Sequence, residues 1–411
     1  MTRILIIGYV WPEPDSSAAG SRMMQLLRLF RAQDWTVTFA SAAAVSDHMV
    51  DLEPLGVGTA AIELNSSSFD RFIRELHPDI VLFDRFMIEE QFGWRVARHC
   101  PDALRVLDTE DLHSLRAARH EALKAGHDVS ARELNSELAM REVAAILRCD
   151  LSLIISEFEI ELLRSHYGVS AELLWHLPFM LPPVSETGFD AYQQRRGYIS
   201  IGNFRHAPNW DAVLYLKQTL WPLVRERQPD AQLDVFGAYP PPKAMQLHDP
   251  GKGFRVRGWA EDAHAVMRAA RVCLAPLRFG AGLKGKLVDA MSCGTPSVTT
   301  RIGAEGMHGS LPWAGVIADD APSFARSAVQ LYRTEEQWSQ AQRNGAEIIN
   351  TLYPESGPGG RLLKKIADLR ARLAAHRLDN FIGAMLHHHT LQSTRYMAQW
   401  IEAKNRNTGG T

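Results

Sequence analysis

The sequence predicts an α/β protein built from two Rossmann-like, doubly wound domains that face each other across a cleft. Three observations carry this reading. Strand–helix alternation runs through the chain twice, a proline-rich stretch separates the two runs, and 411 residues exceed one ordinary core but suffice for two. Short apolar runs such as Ile4 to Ile7 mark strands buried on both faces.

Taken in order, Arg3 to Gly8 (RILIIG) is a strand, and Gly20 to Ala32 is a helix with Met23, Met24, Leu26, Leu27 and Phe30 on one side. Trp35 to Ala40 is the next strand. Helix 69–76, strand 79–83, helix 88–99 and strand 104–108 follow. A polar-faced helical region covers roughly 114–148, then come strand 151–155, helix 157–165 and strand 173–176. Leu177 to Asp190 carries three prolines and reads as a linker. The alternation restarts at Tyr198 to Gly202 (YISIG). Helix 209–227, strands 232–237 and 254–258, helix 261–270 and strand 272–275 come next. Helix 283–292, strand 297–300 and helices 321–332 and 335–352 complete the second half. The expected domains are therefore 1–180 and 190–360, with a helical tail at 361–411 whose last residues, 405–411, fray.

Composition excludes several classes. Apolar residues make up 46% and charged residues 22%, with a formal net charge of −2, so neither disorder nor a bulk pull toward nucleic acid is indicated. Four well-separated cysteines form no CxxC pair and read as small buried residues of a reducing, cytoplasmic setting. The N-terminus lacks the apolar length of a signal peptide, and no stretch approaches a membrane span, which leaves peripheral contact with a membrane open. Three adjacent histidines, His387 to His389, point in three directions on a helix and read as solvated surface, not as a metal site. No cofactor and no metal are expected. The oligomeric state is not legible.

The segment with the clearest chemistry is Gly280 to Pro296, GAGLKGKLVDAMSCGTP. Gly280 and Gly282 let backbone approach a ligand, since no Cβ intervenes. A helix start at Leu283 offers free N–H donors and the positive end of a dipole, a seat for phosphate. Lys284 and Lys286 add charge, and either could point inward. Asp289, about one turn beyond Lys286, can accept the two hydroxyls of a ribose.

The stretch from Ile199 to Met307 resembles the C-terminal domain of GT-B fold retaining glycosyltransferases, the glycosyltransferase family 4-like or group 1 type. The segments that carry the resemblance are IGNFRHAPNWDAV, LDVFGAYP, FRVRGWAED, VCLAPLRFGAGLKGKLVDAMSCGTPSVTT and IGAEGM. The resemblance implies C-terminal helices that cross back to the first domain. It implies that Arg205 meets a donor diphosphate with a lysine as its partner, that Asp289 stands where the family has glutamate, and that Arg257 and the following Gly258-Trp259 border the nucleobase. Eight positions before Asp289, where many members carry a second glutamate, stands Ala281.

The first domain is then the acceptor side. Its first loop, Trp11 to Gly20, ends in small residues that let the domains close, and Gly20 is assigned to the donor side of that closure. Asp15, Ser16 and Ser17 are also good helix caps. Arg22, in the first helical turn, points to an anionic ligand nearby. Leu107 to Arg119 (LDTEDLHSLRAAR) places Asp108, Glu110, Asp111, His113, Arg116 and Arg119 after a strand end, where ligands bind in open α/β sheets; Asp111 and His113 are the candidate catalytic pair. The resemblance adds a histidine close to the donor sugar, here His113. Asp84-Arg85 reads as a loop ion pair. Arg116, Arg119, Lys124, Arg132 and Arg141, interleaved with Glu121, Glu133, Glu137 and Glu142, read as a solvated helix face.

The expected activity is hexosyl transfer from a nucleotide sugar of unknown base to an acceptor hydroxyl, retaining and metal-independent, in glycoconjugate or polysaccharide assembly. The alternatives are a transferase acting on a macromolecule (a protein or a modified nucleoside in RNA) and a nucleotide-sugar-binding protein without turnover.

Overall fold

A computed structural model describes residues 1–185, 188–388 and 396. His389 and the segment 405–411 lie outside the described residues.

The first sheet has seven parallel strands in the order β3-β2-β1-β4-β5-β6-β7: β1 (Arg3–Gly8), β2 (Thr36–Ser41), β3 (Gly58–Ala61), β4 (Ile80–Asp84), β5 (Leu104–Asp108), β6 (Leu151–Ile154) and β7 (Leu174–His176). The second has six parallel strands in the order β10-β9-β8-β11-β12-β13: β8 (Tyr198–Ile201), β9 (Leu233–Phe236), β10 (Phe254–Gly258), β11 (Val272–Ala275), β12 (Ser297–Thr299) and β13 (Gly315–Ile317). In each sheet the strand order reverses beside the first strand, so each has a switch point where ligands settle at the carboxyl ends of the strands. Helices cover both faces, which explains why Ile4 to Ile7 are almost wholly buried.

Two edge strands, β3 and β13, are absent from the sequence reading. Both are short and partly exposed, with burial too mixed to give an apolar period. The long helical region breaks into His113–Ala125, Ala131–Leu134 and Glu137–Arg148. Gly126 ends the first with a left-handed backbone, and Ser130 opens the second with a capping box.

The expected linker is not a loose hinge. Leu177, Phe179 and Met180 are buried, and the Leu181 N–H donates to the Tyr353 carbonyl at 2.8 Å. The outgoing and returning chains thus cross side by side. Beyond the crossing, helix Pro358–Ala371 packs on the first domain, where Leu362, Ile366 and Leu369 join the cluster around Ile4 and Ile6. Burying each such side chain is worth about 1.5–3 kcal/mol, enough to hold the tail in place. The solvated reading of the histidine run fails at His387. Its ring nitrogen lies 2.7 Å from Arg105 Nη1 and 3.0 Å from the Arg148 carbonyl, and burial pushes it down to about 4.

Candidate functional site

The groups that meet between the domains all follow strand ends. From the first sheet they are Ala18 after β1, His48 after β2, Arg85 after β4, Asp111 after β5 and Glu159 after β6. From the second they are Asn203 to His206 after β8, Tyr239 after β9, Trp259 after β10, Gly280 to Gly285 after β11 and Glu305 after β12. The parallel topology puts every one of these loops on the same side of its sheet.

The glycine-rich segment lies at the centre of this surface. The helix begins at Gly285, two residues later than expected, with Lys284 in the N-cap position and no side-chain cap bond. Leu283 is consequently not a helix-start donor; it is buried among Ile155, Phe179, Ala275 and Leu287, partly from the facing domain. Gly282 has a left-handed backbone (φ 60°), and a Cβ there would come within 2.7 Å of the Asp111 Cβ. At Gly285 an added Cβ would come within 2.4 Å of the Ala18 Cβ. Both positions demand glycine because the first domain presses on them. The small residues at the end of the first loop do allow close approach, and Ala18 makes it. Gly20 lies beneath the loop, where a Cβ would strike the Glu13 carbonyl at 2.2 Å, and the Ser17 hydroxyl caps the helix by accepting the Gly20 N–H at 3.1 Å.

The two lysines have different surroundings. Lys284 is buried and folds back to donate to the Gly282 carbonyl at 2.6 Å. Lys286 reaches toward the β8 end, donating to Asn209 Oδ1 at 2.7 Å, with its ammonium beside Gly202. Burial pushes both down to about 8. Arg205 is exposed, its guanidinium 3.6 Å from the centre of the Tyr239 ring.

Asp289 is part-exposed, with His264 Nε2 3.5 Å from its carboxylate, a contact that raises the histidine. At the β8–β10 ends is a shallow pocket walled by Gly202, Asn203, Gly237, Trp259 and Ala263, with Asp15 and Ser16 from the other domain. Trp259 stacks on His48, ring centres 4.0 Å apart and nearly parallel. Arg257 does not join this pocket. The strand alternation turns it outward, and its Nε donates to Asp234 at 2.7 Å on the sheet edge. Ala281 is buried and supplies no polar side chain.

In the first domain, Asp111 is a charge hub. It pairs with Arg116 and lies 3.5 Å from His113 Nε2. Although burial opposes ionisation, Arg116 and the facing histidines hold its carboxyl well below the usual range. Burial pushes His113 down to about 4, so the ring is neutral near pH 7. Helix His113–Ala125 has no cap of its own. Glu142 supplies it from a neighbouring helix, accepting the His113 and Ser114 N–H groups at 2.9 Å each. Arg22 needs no ligand: it is buried and bonded to Asp108 at 3.0–3.2 Å and to the Leu177 carbonyl at 2.6 Å. Its anion is a carboxylate of its own domain.

The contacts of three further groups are not legible in the sequence. Arg119 grips Glu305 through two bonds of 2.7 and 2.8 Å and donates to the Gly280 carbonyl at 2.8 Å. His120 stacks on Phe279 at 4.2 Å. Glu159 Oε1 accepts both the Leu112 N–H (2.9 Å) and the Gly282 N–H (2.8 Å), while burial pushes its carboxyl up to about 8. The supposed solvated helix face thus contains two cleft arginines, Arg116 and Arg119, and a buried cap, Glu142. Their partners lie on other elements, so helical spacing could not reveal them.

Two facing doubly wound domains, crossed by a returning C-terminal helix, are the GT-B fold. Residues 195–334 match the family model described as Glycosyl transferases group 1. The chain is similar over 90% of its length to three solved structures, each covered in full. These are a sucrose-phosphate synthase from Thermosynechococcus elongatus (14% identity, TM-score 0.69), HepE from Anabaena in complex with UDP (11%, 0.66) and TarM from S. aureus with UDP and α-GlcNAc-glycerol (8%, 0.66). Among curated proteins none matches this sequence. The chain therefore has the GT-B fold, and residues 195–334 of its second half match the glycosyl transferases group 1 model.

Proposed function

We propose that the protein transfers a hexosyl group from a nucleoside diphosphate sugar to an acceptor hydroxyl, with retention at the anomeric carbon. One observation carries the reading: Lys286, half-buried at the head of an uncapped helix, directs its ammonium to the switch point of the second sheet, beside Gly202 and Asn209. A cation there, with a helix dipole behind it, suits an anion. Lys286, not Lys284, is taken as the diphosphate contact, because its ammonium stands at the β8 end beside Gly202 whereas Lys284 folds back onto the Gly282 carbonyl. Arg205 swings from the Tyr239 ring to join it. Asp289 takes the ribose hydroxyls, and the pocket beside Trp259 takes the base.

In the transfer, the bond from the anomeric carbon to the diphosphate oxygen breaks with its electrons on the diphosphate. The acceptor oxygen bonds to that carbon, and its proton passes to the departing oxygen. Negative charge grows on the diphosphate, where Lys286, Arg205 and the helix end stabilise it without a metal. The retaining stereochemistry rests on the family resemblance. Neutral His113, oriented by ionised Asp111, is a hydrogen-bonding partner for the donor sugar and not a cation. The pressed contacts at Gly282 and Gly285 describe the closed state, which excludes water. Four unpaired buried cysteines accord with a cytoplasmic setting.

Thermal-shift titration with UDP-, GDP-, ADP-, CMP- and dTDP-sugars tests the reading. At least one is expected to raise the melting temperature with saturation. No shift with any of them removes the basis of the proposal.

A further inference from the structure

Lys286 differs from the other cations of the cleft in the partner it has. Arg22, Arg85, Arg116 and Arg119 each face a carboxylate, that of Asp108, Asp84, Asp111 and Glu305. The Lys286 ammonium donates instead to the side-chain amide of Asn209, 2.7 Å from Oδ1, and no carboxylate pairs with it among the described residues. Asp289, on its own helix, turns to His264. The groups that face Lys286 from other elements are neutral near pH 7: burial pushes the Cys273 thiol of β11 up to about 12, and desolvation between the two domains pushes His206 after β8 down to about 4.

Asn209 is well placed to hold that ammonium. It lies in the first turn of helix Ala207–Tyr215, and its Nδ2 donates to the Asn203 carbonyl at 3.0 Å. Asn203 is fixed in turn, its Oδ1 accepting the Arg205 N–H at 2.9 Å. The partners settle the orientation of the amide. A carbonyl can only accept and an ammonium can only donate, so Nδ2 faces Asn203 and Oδ1 faces Lys286. The missing Cβ of Gly202 leaves the room, since one there would come within 2.7 Å of both Asn209 Nδ2 and Lys286 Nζ. An aspartate in this fork would set an oxygen against the Asn203 carbonyl and neutralise the lysine, and a leucine would leave both partners without their bond.

We propose that Asn209 is a positioning residue: it fixes the Lys286 ammonium at the carboxyl end of β8 through a neutral bond, which leaves the charge of that lysine to an incoming diphosphate. The inference rests on the proposed diphosphate site and adds to it the residue that aims the cation. An ammonium has three donors, so one can stay on Asn209 while the others meet phosphate oxygens. Holding the side chain beforehand also spares the rotamer freedom that a long side chain otherwise loses on binding. A carboxylate at the same place would tie the lysine more strongly and repel the phosphate, which gives a firmer ion pair and a weaker site.

The probe is inorganic pyrophosphate, a diphosphate without base or sugar, titrated calorimetrically into the full chain at pH 7. Asn209→Asp keeps the shape and adds charge, and Asn209→Leu keeps the size and removes both bonds. Pyrophosphate affinity is expected to fall about tenfold or more in each, while Asn209→Asp melts at or above the wild-type temperature. The double variant Asn209→Leu with Lys286→Ala should bind no more weakly than Lys286→Ala alone, because Asn209 acts through the lysine. In carbon-13 lysine NMR of the ligand-free chain, the Lys286 signal, identified by its absence from Lys286→Arg, should titrate about one pH unit or more higher in Asn209→Asp than in wild type, since a neighbouring carboxylate favours the charged lysine. The proposal is overturned if wild type binds no pyrophosphate, if Asn209→Asp binds it within about threefold of wild type, if the losses at Asn209 and Lys286 add in full, or if the lysine titration does not move. Neither readout uses a nucleotide or a sugar, so these failures stay separate from failure of the nucleotide-sugar titration.

Discussion

Replacing Lys286 with alanine separates a ligand site from a structural lysine, because the two roles move different observables. Ligand-free, the lysine is a burden. Burial lowers it from the ordinary 10.5 to about 8, a penalty on the order of 3 kcal/mol at about 1.4 kcal/mol per pH unit. Truncation leaves Asn209 Oδ1 without its donor, a loss of about 1–3 kcal/mol. The two terms oppose, so the ligand-free variant should melt close to wild type or above it. With donor bound the sign reverses. A hydrogen bond to a charged partner is worth about 1.5–3 kcal/mol, so nucleoside diphosphate affinity should fall roughly ten- to hundredfold. The pH dependence follows from the same shift. A lysine whose folded value is lowered is charged only below about 8, and a bound diphosphate raises it again. Wild-type affinity should therefore weaken as pH rises through 8, and Lys286→Ala should flatten that slope. Isothermal titration calorimetry between pH 6.5 and 9.5, in two buffers of different ionisation enthalpy, reads both quantities. Affinity within threefold of wild type, with the same slope, would refute the reasoning.

Other expectations follow from the closed interface. Gly285→Ala puts a Cβ within 2.4 Å of Ala18; overpacking of about 1–3 kcal/mol should slow turnover tenfold or more while donor affinity holds. Ala18→Gly in the same chain should restore turnover, and a slow double variant would show that the contact is not the cause. Arg119→Ala and Glu305→Gln should couple by about 0.5–3 kcal/mol in a double-mutant cycle, read from denaturation midpoints; zero coupling would mean the bidentate pair does not hold the domains. Glu159 is raised to about 8, so the stability it lends is present at low pH and is lost as pH rises through that value. The loss runs from about 4.5 to about 8, so Glu159→Gln should leave the melting temperature unchanged at pH 4 and raise it relative to wild type at pH 9.5, and parallel melting curves across that range would contradict the assignment.

Much of this protein is legible without coordinates. The wholly apolar runs of β1, β4 and β11 fix a parallel sheet, because only strands covered on both faces are written that way. The glycine–lysine–aspartate segment marks the second domain because its chemistry is local: cap, cation and carboxylate lie within ten residues. The short edge strands β3 and β13 are not legible, since a half-exposed edge imposes no apolar period. Neither is the direction of a charged side chain. Arg22 reads as a pointer to an anion, Arg119 as a helix-face charge and Arg257 as a neighbour of the nucleobase, yet their partners are Asp108, Glu305 and Asp234, the first two 86 and 186 residues away. The buried acids Glu142 and Glu159 read as ordinary helix charges until the fold sets a helix end, or the backbone of the other domain, against them. Sequence determines what recurs along one chain. Which of two lysines faces the cleft, and which arginines the protein itself neutralises, depends on contacts between distant segments, and only the tertiary structure decides them.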